Sequence, residues 1–182
     1  MKKLNTYMSA LALCLASTSA FAALSDGQGI VTFNGELTDD TCVVADDSKD
    51  IQVTLPKIST KSLATAGSQA GSTLFDINVT DCPTTITKVA AHFEAIDATK
   101  FNAVTGNLIN QDVSANTAGK TVEVRLYDAD GTFLSVGKTG KSFDVDSTTN
   151  KAKLTYVGGY YATAPTSPGT VKAVVQYTLA YP

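Results

Sequence analysis

Residues 171–182 alternate between apolar and polar positions and predict a long β-strand with one apolar face. A period of two places every second side chain on the same side of a strand. The sequence offers no later segment to pair with this strand, so we expect it either within a sheet or at an open edge. An apolar strand at an open edge would need cover, because it is a template for aggregation. The apolar positions are Val171, Ala173, Val175, Tyr177, Leu179 and Tyr181.

Residues 29–37 show the same period near the start of the chain. Val31, Phe33, Gly35 and Leu37 fall on one face, and the polar positions between them fall on the other. Gly35 would weaken an ordinary strand, and it therefore indicates a bulge or the close approach of another backbone. The flanking residues are polar, which is typical of a flexible arm, whereas the periodicity alone favours a first strand of the chain's own sandwich.

Further short alternating segments fill the middle of the chain, and no helical periodicity lasts beyond a turn or two. They cover residues 51–55, 74–80, 89–93, 122–127, 132–134 and 151–157. Residues 128–131 read DADG and predict a hairpin loop, and residues 61–67 leave room for a single helical turn. Many short strands separated by turn residues predict an all-β sandwich.

The first 22 residues have the features of a secretory signal peptide. Lys2 and Lys3 precede a short apolar run, and residues 20–22 read AFA, which is a typical cleavage site. We therefore expect a signal peptide at residues 1–22 and export of the chain. The apolar run is too short for a permanent membrane anchor. Lipid attachment at Cys14 is disfavoured, because Leu13 is too large for the residue before a lipoprotein cleavage site.

Removal of the signal peptide leaves 160 of the 182 residues, which suits one domain with a sizeable core. The signal peptide contains two of the 14 basic residues, so the mature chain has 12 basic and 17 acidic residues and a net charge of −5. The basic residues form no block in the sequence. That charge argues against nucleic acid as a partner. Cys42 and Cys82 remain, and export favours a disulfide between them over two free buried thiols.

Residues that usually carry catalysis or bind metals are sparse. His92 is the only histidine and lies in an apolar run, which favours an ordinary sheet position. Without a second histidine or a free cysteine there is no zinc-binding set, and no Gly-x-Ser-x-Gly context supports a Ser-His-Asp triad. The DADG loop lacks the spacing and the distal Glu of a calcium loop. The sequence therefore predicts no catalytic, metal or cofactor site and argues against an enzyme.

The order of these features resembles the structural subunits of bacterial chaperone-usher pili, and most closely the major-subunit family of type 1 fimbriae. The resemblance covers the whole mature length. Gly169 stands where the terminal motif of the family carries a glycine, whereas Pro182 departs from the polar residue that often ends the family. The marks of the resemblance are residues 31–37 before Cys42, the pair Asp81 and Cys82, residues 160–163 before Pro168 and Gly169, and the penultimate Tyr181.

That resemblance implies an incomplete immunoglobulin-like sandwich, the pilin fold, which lacks its final strand. It implies an arm at residues 23–40 and a pilin domain at residues 41–182. The C-terminal strand, from Gly169 onward, would border a hydrophobic groove that a periplasmic chaperone fills with a strand of its own. At the outer-membrane usher, the arm of the next subunit would displace the chaperone strand. Residues 31–37 would then be a donor strand and not an internal first strand.

The implied function is that of a structural subunit of a cell-surface fimbria, a homopolymer that supports adhesion. The major shaft subunit is the closest match, and a minor or adaptor subunit would carry the same motifs. A two-domain tip adhesin is disfavoured, because the chain has no room for a lectin domain. A soluble secreted carbohydrate-binding module is the alternative from another class, and the absence of Trp counts against it.

Overall fold

The computed structural model describes residues 29–37, 40–112 and 120–182, so the expected signal peptide lies outside the described residues. The chain divides into two units, Met1–Leu37 and Thr38–Pro182. Residues 29–37 form no strand. The internal first strand favoured by periodicity alone is therefore wrong, because an extended segment becomes a strand only when another strand pairs with it. Among the described residues, no helix is both long and apolar enough to cross a membrane.

The second unit consists of two antiparallel sheets, whose strands are numbered here in chain order. In the described residues the larger sheet has seven strands and the smaller has four. The larger sheet has the order β1 (Val43–Val44), β2 (Gln69–Thr80), β10 (Ala152–Ala162), β6 (Val122–Asp128), β5 (Asn107–Ile109) and β4 (Phe101–Asn102), and β7 (Phe133–Leu134) pairs with β6. The smaller sheet has the order β11 (Gln176–Ala180), β3 (Lys88–Glu94) and β8 (Lys138–Thr139), and β9 (Phe143–Asp144) pairs with β3.

These sheets confirm the predicted all-β class and most of the predicted strands. The hairpin loop at residues 128–131 joins β6 to β7, and the helical turn falls in a 3-10 helix at Thr60–Leu63. Two strand predictions need correction. Residues 51–55 form no strand, since no described segment pairs with them. The C-terminal strand is shorter than residues 171–182, because it is a strand only over Gln176–Ala180.

The core lies between the two sheets. The rings of Phe93 and Tyr156 meet edge to face, with 5.0 Å between their centroids. The Tyr156 hydroxyl accepts a hydrogen bond from the backbone N of Ala91 at 2.9 Å and donates to the backbone O of Lys141 at 3.0 Å. The ring thus fills the core while its hydroxyl fastens β10 to the smaller sheet. Among the most buried side chains are Ile77, Leu154 and Tyr156 from the larger sheet and Val89 and Phe93 from the smaller.

We expect Tyr156→Phe to lower the free energy of unfolding by about 1–3 kcal/mol, because the buried N–H of Ala91 loses its acceptor. Denaturant titration of purified fibres at neutral pH measures the change. Tyr161→Phe is the matched control, since the Tyr161 hydroxyl has no hydrogen-bond partner among the described residues and its ring stacks on Arg125. Equal stability of the two variants would contradict the role of the Tyr156 hydroxyl.

Burial also raises the pKa of Tyr156 to about 12. A folded-state pKa above the unfolded value near 10 means that the contribution to stability is fully present below pH 10. That contribution is lost as the pH rises from 10 through 12. The wild-type fibre should therefore lose more stability than the Tyr156→Phe fibre over this alkaline range.

Candidate functional site

Strand β11 lies at the edge of the smaller sheet. Its Tyr177 is opposite Phe93 of β3 and its Leu179 is opposite Ala91, and no other described strand pairs with it. The opposite edge of β11 therefore presents backbone N–H and C=O groups without a neighbouring strand in the described part of the chain. Such an edge accepts an added strand.

The inward face of the terminal segment is only partly covered. Val175, Tyr177, Leu179 and Tyr181 all pack against the main core cluster, yet none of them is fully buried. By contrast, Leu154 and Tyr156, two inward residues of the paired strand β10, are 0% exposed. The alternation predicted from the sequence is thus present, with polar positions exposed and apolar positions half-buried. Ile51 of the segment that follows β1 and Phe75 of β2 are likewise only partly buried against the same cluster.

The segment opposite the terminal strand is residues 42–60, of which only the two residues of β1 belong to a strand. Tyr181 accepts a hydrogen bond through its hydroxyl from the backbone N of Cys42 at 2.9 Å. Tyr177 donates from its hydroxyl to the backbone O of Ser48 at 2.5 Å. Farther along, Val171 and Ile58 line one cleft. Along these contacts the residue numbers fall in the terminal segment while they rise in the opposite segment, so the two segments run antiparallel.

We call the gap between these segments the groove. Its terminal rim is residues 169–181 and its facing rim is residues 42–60. The terminal rim pairs with another strand only through β11, and the facing rim has only the two-residue β1 in the larger sheet. At one end, the two tyrosine hydroxyls tie the rims together. At the other end is a cleft lined by Lys57, Ile58, Ser59, Thr60, Tyr160, Ser167, Pro168, Gly169 and Val171.

The beginning of the terminal rim is held by a loop and not by β3, which explains the shortened strand. Asn110 accepts from the backbone N of Lys172 at 2.8 Å and donates through its side-chain amide to the backbone O of Thr170 at 2.9 Å. The backbone N of Gln111 donates to the backbone O of Lys172 at 2.7 Å. These bonds fasten residues 170–172 to residues 110–111. Below the cleft, Val171 packs on a second small cluster that includes Leu63, Val122 and Ala162.

A disulfide between Cys42 and Cys82 anchors the start of the facing rim. Cys42 immediately precedes β1 and Cys82 follows β2, and β1 and β2 pair with each other. The predicted disulfide is confirmed. Because the backbone N of Cys42 is also the donor to Tyr181, the bridge connects the facing rim, the terminal rim and the larger sheet at one point.

The two tyrosines of the groove keep their protons at neutral pH. Burial raises the pKa of Tyr177, and the nearby carboxylate of Asp47 raises it further. Burial likewise raises the pKa of Tyr181. Tyr177 therefore remains a hydrogen-bond donor to Ser48 at neutral pH.

The arm segment that the sequence singles out presents its apolar side chains to solvent. Val31 is 76% exposed, Phe33 is 92% exposed and Leu37 is 99% exposed. Apart from the residues adjacent to it in the chain, no described residue has an atom within 4 Å of the place where a side chain would begin at Gly35.

Sequence reasoning identified the terminal rim but missed the facing rim. Residues 51–55 carried a signal, namely alternation that stops at Pro56, but that pattern also fits an ordinary paired strand. The backbone contacts of Cys42 and Ser48 with the two tyrosines have no sequence signature, since any residue can supply a main-chain donor or acceptor.

The residues that the sequence raised as candidates for catalysis or metal binding, His92 and the DADG loop, form hydrogen bonds within the fold. His92 lies in β3 and its Nδ1 is 2.8 Å from the Thr139 hydroxyl. In the DADG loop, Asp130 accepts from the Lys141 side chain and from the backbone N of Thr132, and these bonds lower its pKa to about 2. The described residues contain no group of three or more His, Cys, Asp or Glu side chains that could hold a metal ion.

Comparison with known proteins gives matches to fimbrial proteins. A sequence profile of the family described as FimA, type-1 fimbrial protein A, matches residues 55–182. The chain is 38% identical to the major fimbrial subunit SMF-1 of Stenotrophomonas maltophilia, over 87% of this chain and 95% of that protein. It is 37% identical to the F17 fimbrial protein of Escherichia coli, over 92% of this chain and 94% of that protein.

The fold is similar to that of a solved pilus subunit. The P pilus rod subunit PapA matches with a TM-score of 0.59, over 78% of this chain and 99% of that chain, at 19% sequence identity. At this identity the likeness concerns the fold alone.

Proposed function

This chain belongs to the type-1 fimbrial protein family, and on that premise we propose that its copies form the shaft of a fimbria by donor-strand exchange. It is a structural subunit of a cell-surface pilus and not an enzyme. In the proposal, the arm at residues 23–40 of one copy occupies the groove of the next copy. Each junction completes one sandwich, and the next arm remains available for growth.

The observation that supports this proposal most directly is the partly covered apolar face of the terminal rim. Tyr177 and Leu179 point into the sandwich on an edge strand, yet they remain half-buried. A strand added beside β11 would pair with its open edge and would cover these side chains. It would also lie against the facing rim, whose residues 51–55 form no strand in the single chain.

The arm has the composition that such a strand requires. Its apolar positions recur every second residue, so they would enter the groove together while the polar positions face solvent. Burying Val31, Phe33 and Leu37 at roughly 1.5–3 kcal/mol each gives about 5–9 kcal/mol before backbone pairing. Gly35 would lie where the groove admits no side chain. Alternating pockets would also fix the register, since a slip by one residue would turn the polar face inward.

Two transient partners complete the proposal. A periplasmic chaperone would lend a strand to the groove before assembly, because an open apolar edge in the periplasm would otherwise aggregate. An outer-membrane usher would be the place where the arm of the incoming copy replaces that strand. Passage through the periplasm follows from the signal peptide expected at residues 1–22.

We assign the chain to the major subunit because relatives that match it over nearly their whole length, such as SMF-1, are named as major fimbrial subunits. A minor or adaptor subunit would carry the same arm and groove, and copy number in purified fimbriae separates the two. The secreted carbohydrate-binding module is set aside, since the fimbrial family model matches residues 55–182.

Fimbriae sheared from cells that express the chain test the proposal. In denaturing detergent without boiling, strand-exchanged copies should migrate as a ladder, and boiling should reduce the ladder to single copies. Electron microscopy of the same preparation should show filaments in which this chain is the main component. Secreted monomers that give no ladder and no filaments would overturn the proposal.

We expect Gly35→Val to block assembly, because a branched side chain would enter a part of the groove that is proposed to admit none. The body should fold and bind the chaperone normally, since in the described part of the chain only the residues adjacent to Gly35 come within 4 Å of an added side chain. Asn34→Val, on the opposite face of the arm, is the matched control and should assemble. Ladders of normal length from Gly35→Val would show that the groove accepts a side chain at this position.

A further inference from the structure

The outer face of the larger sheet carries an apolar row that the groove does not use. Leu74 of β2, Val157 of β10, Tyr127 of β6 and Phe133 of β7 are directly opposite one another in successive strand pairs. Residues in this register share one face of a sheet. Their chain neighbours Phe75, Tyr156, Leu126 and Leu134 belong to the core cluster, so the row faces outward.

Two members of the row are substantially open to solvent. Leu74 is 63% exposed and Phe133 is 42% exposed, whereas Tyr127 between them is held down by a hydrogen bond from its hydroxyl to the side chain of Gln69 at 2.6 Å. Between these two exposed ends, Val157 is half-buried and Tyr127 is buried. Exposed apolar side chains that lie on one sheet face are typical of a contact surface. The row is rigid, because every member lies in a paired strand.

A preorganised cation lies beside the row. The Arg125 guanidinium stacks on the rings of Phe133, at 4.4 Å, and of Tyr161, at 3.7 Å. Its Nε donates to Asn107 at 2.8 Å, and its two terminal amino groups have no hydrogen-bond partner among the described residues. Glu123, the next outward residue on β6, is buried and accepts three hydrogen bonds from the β4–β5 hairpin. The surface therefore combines apolar area with an arginine that is free to bind a carboxylate.

The same chain carries a surface of complementary character. Ile96, in the turn that follows β3, is 60% exposed and lies between two acidic residues, Glu94 and Asp97. Both residues are exposed, although Glu94 Oε1 lies 3.3 Å from His92 Nε2 in the same strand. Hydrogen bonds from Thr99 lower the pKa of Asp97. We call residues 94–97 the acidic turn. Among exposed apolar residues of the body, Val104 lacks such neighbours and is flanked only by uncharged residues.

We propose that the acidic turn of one copy docks on the Leu74–Phe133 row of another copy that is not its arm-linked partner. Ile96 would rest on the row, and Glu94 or Asp97 would pair with Arg125. Because the two surfaces differ, the contact is heterologous, and repeated contacts of this kind build an open helical array and not a closed dimer. The proposal rests on the proposed function only in that arm-linked filaments would bring the copies together.

A cysteine pair tests this contact directly. Fibres of the Leu74→Cys/Ile96→Cys double variant should form disulfides between copies and should keep a ladder after boiling without reductant. Reductant should abolish it. Each single variant should give no such ladder, because a heterologous contact never brings two copies of position 74 together. The double variant Leu74→Cys/Val104→Cys is the matched control, and it should not cross-link.

Three results would overturn the proposal. They are intact fibres of the double variant without cross-links, cross-linking by Leu74→Cys alone, and equal cross-linking by the Val104 control. Leu74→Asp provides a second measurement, since it should leave the unboiled ladder intact while most filaments become thinner and more extended than wild type. Val104→Asp should leave both unchanged, and a Leu74→Asp filament of normal width would contradict the docking. Failure of the proposed function would show differently, as loss of the unboiled ladder in wild type.

Discussion

Phe33→Asp should abolish polymer growth while leaving export of the subunit to the periplasm intact. The proposed junction gains roughly 1.5–3 kcal/mol from burial of the Phe33 ring, and an unpaired carboxylate in the apolar groove would cost several kcal/mol more. A combined loss of about 4 kcal/mol or more would weaken each junction by roughly a thousandfold. Because a filament needs every junction, even this estimate predicts no fibres of useful length.

The control for this variant lies one position away. Thr32→Asp adds the same charge to the opposite face of the arm, where it would face solvent, and should give ladders of normal length. Periplasmic yield, the unboiled ladder and electron microscopy of the sheared material separate a folding defect from an assembly defect. Normal fibres from Phe33→Asp would contradict the proposed role of the arm, whatever the outcome at Thr32.

Removal of the disulfide should have the largest effect on the folded body. The double variant Cys42→Ser/Cys82→Ser opens a loop of sequence separation 40, which the loop-entropy relation values at about 4 kcal/mol. That is a large share of the stability of a domain of this size. We therefore expect a marked fall in the periplasmic yield of the subunit, measured by immunoblotting against the wild type.

Cys14→Ser is the matched control, because Cys14 lies in the segment that is expected to be removed on export. Growth of the wild type with a reductant should reproduce the low yield of the double variant. If the double variant accumulated normally, the disulfide would be dispensable for folding, and the facing rim would owe its position to the tyrosine ties alone.

The sequence predicts the terminal rim well because the pattern of that rim is local. Alternation between Val175 and Tyr181 is visible in a single window, and the same alternation decides which side chains face the core. The length of the strand could not be predicted, since residues 170–172 are held by Asn110, some 60 residues away in the sequence. Contacts of that kind depend on tertiary structure, which overrides local strand propensity.

In the arm, periodicity predicts a strand that the single chain does not form. Residues 29–37 have a strand pattern as clear as that of β3, yet they form no strand in the single chain. A period of two reports that one face is to be buried, but it does not say in which molecule. The outer row of Leu74 and Phe133 was equally beyond prediction, because it exists only through the register of strands that lie far apart in the chain.

The ties between the rims have a mechanical consequence. A fimbria attached at its tip is pulled along its length, and tension on an arm seated in the groove would tend to pry the rims apart. The hydroxyls of Tyr177 and Tyr181 bridge the rims, and the covalent link from Cys42 to Cys82 passes the load on to the long strand β2. Force would thus be shared by both sheets, and the body of each subunit would resist unfolding while the fibre is stretched.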